Sequence, residues 1–123
     1  MRLLVTGGRR FTDRAAVDDM LDRAHAYRPI TLLIHGAARG ADSLAQDWAH
    51  RRGVPDLPFP IADEEWDAIG PAAGPRRNSR MLVEGKPDGV LAFPGNRGTA
   101  DMVKQADRAG VPVWQPYGDS QCG

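Results

Sequence analysis

One cysteine, Cys122, stands in a chain of 123 residues. A lone thiol forms no internal disulfide and lacks the companions of a zinc site, so neither staple is available to the fold. No apolar run approaches the ~20 residues that cross a bilayer. The opening Met1-Arg2-Leu3-Leu4-Val5-Thr6 meets Gly7-Gly8 before it reaches the length of a signal peptide. An excess of one charge is missing too, because 16 basic side chains balance 16 acidic ones. No overall field therefore draws the chain to nucleic acid or to an anionic membrane. These absences lead us to expect a cytoplasmic protein in reducing surroundings, with no metal and no membrane partner. There is also no Walker A lysine pattern and no strand-linked G-x-G-x-x-G. ATP hydrolysis and hydride transfer thus lack their signatures, and no resident cofactor is expected.

What is present is an ordinary globular mixture, 41% hydrophobic and 26% charged, enough to bury the core of one domain. Short apolar runs at residues 2–6, 30–34, 54–59, 88–93 and 111–114 read as strands. Two prolines, Pro55 and Pro58, place the third of these near a sheet edge. Helical patterns alternate with them. Thr12 or Asp13 can cap a helix to about residue 26, whose Val17, Met20, Leu21 and Ala24 share one face. A second helix over residues 40–52 carries Ala41, Leu44, Ala45 and Trp48 inward and stops at Gly53. A third covers residues 76–84, anchored by Met81 and Leu82. A fourth follows Gly98 to Ala109, with Val103 and Ala106 inward. Residues 60–75 are the least regular, with a short helix opening at Asp63.

Strands that alternate with helices imply a parallel sheet covered on both faces. We therefore expect an α/β fold: a single Rossmann-like domain over residues 1–116, with a five-stranded sheet in the order 3-2-1-4-5 and a flexible tail at residues 117–123. Ligands of such folds bind at the carboxyl ends of the strands, at the point where the order reverses.

Three glycine-bearing loops follow strands: Thr6-Gly7-Gly8-Arg9-Arg10, His35-Gly36-Ala37-Ala38-Arg39-Gly40-Ala41-Asp42, and Pro94-Gly95-Asn96-Arg97-Gly98-Thr99. Glycine lets backbone approach a ligand closely, and free N–H groups at a helix start hold anions. The third loop is the most specific, since glycines, an arginine and a threonine sit together between strand and helix. His35 reads as a hydrogen-bonded residue at a strand end. Asp42 reads either as a cap of its own helix or as a ribose ligand. The stretch Gly74-Pro75-Arg76-Arg77-Asn78-Ser79-Arg80-Met81 puts three arginines at an expected helix start, against the helix dipole, which phosphate binding would explain. A solvated basic face is the plainer reading.

In this order the four segments resemble the YspA-like branch of the SLOG superfamily, over roughly residues 2–114. That superfamily includes the LOG-type phosphoribohydrolases and the DNA-processing protein DprA. The resemblance implies a Rossmann-like fold and a nucleotide-type ligand, in some members a signal to be sensed. Arg77, four residues before Met81, matches the arginine of the LOG motif R-K-x-x-M. Gly95, Gly98 and Thr99 match the phosphate loop P-G-G-x-G-T-x-x-E, in which Asn96 replaces a glycine and Met102 replaces the glutamate. Met102 cannot act as acid or base.

The expected function is therefore binding or sensing of a phosphorylated nucleotide. Its candidate ligands are Gly7, Gly8, Arg9, Gly36, Arg39, Asp42, Arg77, Asn78, Pro94, Gly95, Asn96, Arg97, Gly98 and Thr99. The rival is hydrolysis of a nucleoside 5′-monophosphate, for which Asp101 or Asp42 must replace the missing glutamate. Asp101 is adjacent to Met102, but one helical step turns a side chain by about 100°. A DNA-binding module is less favoured, because the arginines do not form one long stripe. The resemblance also implies a homodimer. Trp48, on the second helix, is compatible with such an interface or with the core.

Overall fold

A computed structural model describes residues 1–116, and the expected tail at 117–123, with Cys122, lies outside the described residues. The elements run β1 (Arg2–Thr6), α1 (Arg14–Tyr27), β2 (Leu32–His35), α2 (Ala41–Arg52), β3 (Asp56–Pro58), α3 (Asp63–Ile69), a 3-10 turn (Gly70–Ala72), α4 (Ala73–Gly85), β4 (Gly89–Ala92), α5 (Arg97–Arg108) and β5 (Val113–Trp114). The five strands form one sheet in the order β3-β2-β1-β4-β5, and every pairing is parallel. The expected doubly wound order is the observed one, with the proline-bearing β3 at an edge.

Alternation along the strands divides the core in two. Leu3, Val5, Leu33, Leu91 and Phe93 point to one face, where Val17 and Leu21 of α1 and Ala41, Ala45 and Trp48 of α2 cover them. Leu4, Ile34 and Val90 point to the other, beneath Met81 of α4 and Met102 and Ala106 of α5. Met102 is fully buried there. Trp48 is also fully buried. Its indole N–H donates to Asp22 Oδ1 at 2.9 Å, and its ring meets His25 edge-on at 5.7 Å. Between core and interface, Trp48 belongs to the core.

Local chemistry fixes the helix ends. Asp13 caps α1 by accepting from Ala16 N–H at 3.0 Å. Gly53 ends α2 in the left-handed conformation, at φ 69°. The fourth helix differs from expectation. It starts at Ala73, so Pro75 lies in its first turn and Arg76 and Arg77 lie beyond it rather than at its tip. A proline in a first turn lacks an N–H that would have no intrahelical partner in any case, and so does not delay the helix. No helix among the described residues is long and apolar enough to cross a membrane.

Candidate functional site

The carboxyl edge of the sheet carries the loops. At the reversal point between β1 and β4 the first and third loops do converge, but on each other. Gly8 N–H donates to Pro94 O at 2.8 Å, while Gly8 O accepts from both Phe11 N–H and Ala41 N–H at 3.2 Å. A Cβ on Gly8 would lie 3.0 Å from Pro94 O, and one on Gly95 would lie 2.7 Å from Gly8 N and overlap Thr99 Oγ1. A Cβ on Gly7 would press on Ala41 and Phe93. Glycine at 95 is thus required by loop-on-loop packing, Gly8 fits tightly against Pro94, and Gly7 is confined by Ala41 of α2 and Phe93. Phe11 stacks on Phe93 at a centroid distance of 5.3 Å and holds the first loop down.

A cleft of about 260 Å³ opens beside this closure, over the ends of β1, β2 and β3. Arg9 comes to it from the β1 loop, Gly36, Ala37, Ala38 and Arg39 from the β2 loop, Pro60 and Ile61 from the segment after β3, and Arg77 from α4. Three arginines from three separate elements therefore line one cleft, together with the apolar pair Pro60 and Ile61 and, among the described residues, no carboxylate.

Arg77 is built in. Its Nη1 donates to Gly36 O at 2.6 Å and to Phe59 O at 3.4 Å, and its Nε donates to Asn78 Oδ1 at 3.2 Å. Burial depresses its pKa, and the neighbouring charges of Arg9 and Arg80 add to that against the opposing pull of Asp42. The guanidinium nonetheless stays charged at any physiological pH. Gly36 stands between Arg77 and Asp42: a Cβ there would overlap Arg77 Nη1 and lie 3.0 Å from Asp42 Oδ2.

Asp42, 5% exposed, lies beneath the cleft. Its Oδ2 accepts from Gly36 N–H at 2.9 Å and from Ala38 N–H at 3.4 Å. Burial pushes its pKa up, and the bonds from Ala38 and Gly36 and the charges of Arg77 and His35 offset this only in part. These bonds shape the loop preceding α2 and are not a cap of the helix's own first turn. His35 is fully buried. Its Nδ1 accepts from Ala37 N–H at 3.0 Å, and its Nε2 meets Asp56 Oδ2 at 2.8 Å. Asp56 also accepts from Gln46 Nε2 and His50 Nε2, both at 3.1 Å. Burial opposes ionisation of Asp56, but the bonds from His35, His50 and Gln46 outweigh it and hold the carboxyl below its ordinary range.

The remaining sequence candidates lie outside the cleft lining. Asn78 is buried and ties α4 to α5, its Nδ2 donating to Gly98 O at 3.1 Å and Asp101 Oδ2 at 3.0 Å. Asp101 also accepts from Gln105 Nε2 at 2.7 Å, so its carboxylate serves that helix contact. Pro94, Gly95, Asn96, Arg97, Gly98 and Thr99 form the entry to α5; Arg97 and Gly98 are exposed, and a Cβ on Gly98 would meet open space. Sequence reasoning did not single out Ala37, Pro60, Ile61 or Asp56. The first three carry no polar signal, and Asp56 acquires its role only through the pairing of β2 with β3.

A parallel doubly wound sheet with an arginine-lined cleft at its carboxyl edge defines a Rossmann-like α/β domain. The particular family follows from comparison with known proteins: the chain belongs to the YspA, cpYpsA-related SLOG family, whose sequence model matches residues 1–64. The Gene 61 protein of Mycobacterium phage D29 is 39% identical over 119 residues, covering 91% of this chain and 93% of that protein. The X-ray structure of DNA processing protein A (DprA) from Streptococcus pneumoniae superposes on 91% of this chain with a TM-score of 0.52 at 15% identity. This chain spans 57% of the length of that structure, and the likeness is one of fold.

Proposed function

We propose that this domain binds a phosphorylated nucleotide-type ligand in the cleft, as a binding or sensing module. Phosphate would lie against Arg9, Arg39 and Arg77, and the base or sugar against Pro60 and Ile61. The observation that carries this reading is the convergence of three arginines on one cleft whose lining, among the described residues, holds no carboxylate. Arginine forks match phosphate oxygens in bidentate pairs. A ligand no larger than a mononucleotide is the fitting size, since about 260 Å³ lies just below the usual range of ligand pockets. The entry to α5 is the alternative phosphate seat, with Gly95, Asn96, Arg97, Gly98 and Thr99 at an open helix start.

Calorimetry with AMP, GMP, ADP and GDP separates the two seats. Arg39 is exposed and makes no ion pair among the described residues. Arg39→Ala is therefore expected to leave the melting temperature unchanged and to weaken nucleotide binding about 10- to 150-fold, the worth of a charge-assisted bond. If Gly98→Ala weakens binding and Arg39→Ala does not, the ligand lies at α5 instead.

Turnover is not expected. Cleavage of a glycosidic bond passes through an oxocarbenium-like state that a carboxylate must stabilise. Met102 is in the core, Asp101 is held by Asn78 and Gln105, and Asp42 is held by two backbone amides. Incubation with nucleoside monophosphates should release no free base by chromatography. Release that Asp42→Asn abolishes would establish the hydrolase.

A second reading rests on a different observation. Arg9, Arg10, Arg39, Arg76 and Arg97 are all exposed on this edge, and among the described residues none is paired with a carboxylate. A longer polyanion, such as single-stranded nucleic acid, would engage them together, and DprA, whose fold this chain shares, is a DNA processing protein. Anisotropy of a labelled oligonucleotide that falls steeply with salt would favour it. The same family membership supports a homodimer in solution, which light scattering tests.

A further inference from the structure

We propose that His35 is the positioning residue of the cleft: its imidazole, held between Asp56 and the Ala37 amide, fixes the loop that walls the cleft, and proton uptake by the ring releases that loop and weakens anion binding. This rests on the anion-binding reading above.

Three consecutive amides of the β2 loop are held by two side chains. Asp42 takes Gly36 N–H and Ala38 N–H, and His35 Nδ1 takes the one between them, Ala37 N–H at 3.0 Å. Ala37 is the residue that needs holding. It has φ +57°, a left-handed conformation disfavoured by a side chain and adopted by one other non-glycine residue among those described, Lys86. Ala37 and its neighbours Ala38 and Arg39 all line the cleft, whereas His35 does not.

Because Nδ1 accepts, the ring proton sits on Nε2 and is donated to Asp56 at 2.8 Å. A second proton on Nδ1 would set donor against donor at Ala37. The bond to Asp56, already charge-assisted by the carboxylate, survives as an ion pair, so the ring stays and the loop moves. The charged and titratable groups around this ring are Asp56 on β3, His50 and Asp42 on α2, and Arg77 of α4 across Gly36.

The test uses ¹⁵N-labelled full-length protein, first without ligand, titrated from pH 8 to pH 5. The imidazole nitrogens of His35 and the Ala37 amide should shift together with one midpoint. Inorganic sulfate is the probe for the cleft, because its charge is constant over this range; its binding is read at the Ala38 and Arg39 amides. Affinity is expected to be about fivefold weaker at pH 5, the order of one neutral hydrogen bond. His35→Asn keeps an acceptor for Ala37 and cannot take a proton, so sulfate should bind it with a flat pH profile. His35→Gln keeps the donor to Asp56 but leaves Ala37 without an acceptor, so sulfate should bind it weakly at both pH values. An Ala37 amide that stays still while the ring titrates, or a His35→Asn protein that retains the pH dependence, overturns the proposal. If sulfate fails to bind at pH 8, the anion-binding reading falls, and the ligand-free titration still judges the His35–Ala37 link.

Discussion

Gly40→Ala is expected to lower the melting temperature by about 10 °C or more, while Gly98→Ala leaves it unchanged or slightly raised. Gly40 precedes α2 at φ 74° and ψ −128°, a region in which side chains are essentially excluded. A Cβ there would overlap Gly8 O and lie 2.7 Å from both the carbonyl carbon and oxygen of Arg9. These are backbone atoms, and Gly8 has nowhere to go. Its N–H is bonded to Pro94 O and its carbonyl to Phe11 and Ala41. Alanine at 40 therefore combines conformational strain of about 1–3 kcal/mol with the loss of bonds that close the first loop on the second. A total of about 3 kcal/mol or more is a large share of a small domain's stability. Gly98 is the control. It lies in the first turn of α5 with no atom near its absent side chain, and alanine gains up to about 1 kcal/mol over glycine in a helix. Scanning calorimetry of both variants decides the matter. A Gly40→Ala protein that melts with the natural one would mean that the three loops are not locked together.

That contrast marks where sequence reading reaches its limit. Strand order, the edge position of β3, the Asp13 cap, the Gly53 stop and the inward stripes of α1 and α2 follow from periodicity and local backbone chemistry, and all are observed. Such features depend on residues a few positions apart. The glycines at 7, 8 and 95 had the same local signature whether they faced a ligand or another loop. The contact between the loops joins residue 8 to residues 94 and 95, and no local pattern records it. Arg77, Arg39, Arg9 and Gly36 were named from the sequence and do line one cleft. Pro60 and Ile61, in the least regular stretch, were not. Nor was the link from His35 to His50 through Asp56, which forms only once β3 is registered beside β2. The early start of α4 was missed because Gly74 and Pro75 suggest a loop by composition, although proline is at home in a first helical turn.

Two substitutions of Asp42 are expected to part in opposite directions. Asp42→Ala leaves Gly36 N–H and Ala38 N–H without their acceptor, in a place where Asp42 itself is 5% exposed. A buried unsatisfied amide costs about 1–3 kcal/mol, so a loss of about 2–4 kcal/mol is expected for the pair. Asp42→Asn keeps an oxygen where Oδ2 stands and carries no charge to desolvate. Burial raises the pKa of Asp42 above that of the unfolded carboxyl despite Arg77, His35 and the two amides. A raised carboxyl pKa means that the charged form costs stability in the folded state. That cost is absent below the unfolded value, about 3.9, and is complete once the pH exceeds the folded value. The asparagine protein should therefore match the natural one near the acid end and surpass it at neutral pH. Urea unfolding of both at a series of pH values reads this difference directly, and effects common to both, such as titration of Asp56, cancel. The same replacement removes a negative charge from beneath the three arginines, so it should also tighten nucleotide binding. If instead the asparagine protein grows less stable as the pH rises, the carboxylate is needed to neutralise Arg77. The cleft would then already be electrostatically balanced without an anion, and the case for phosphate binding there would fail with it.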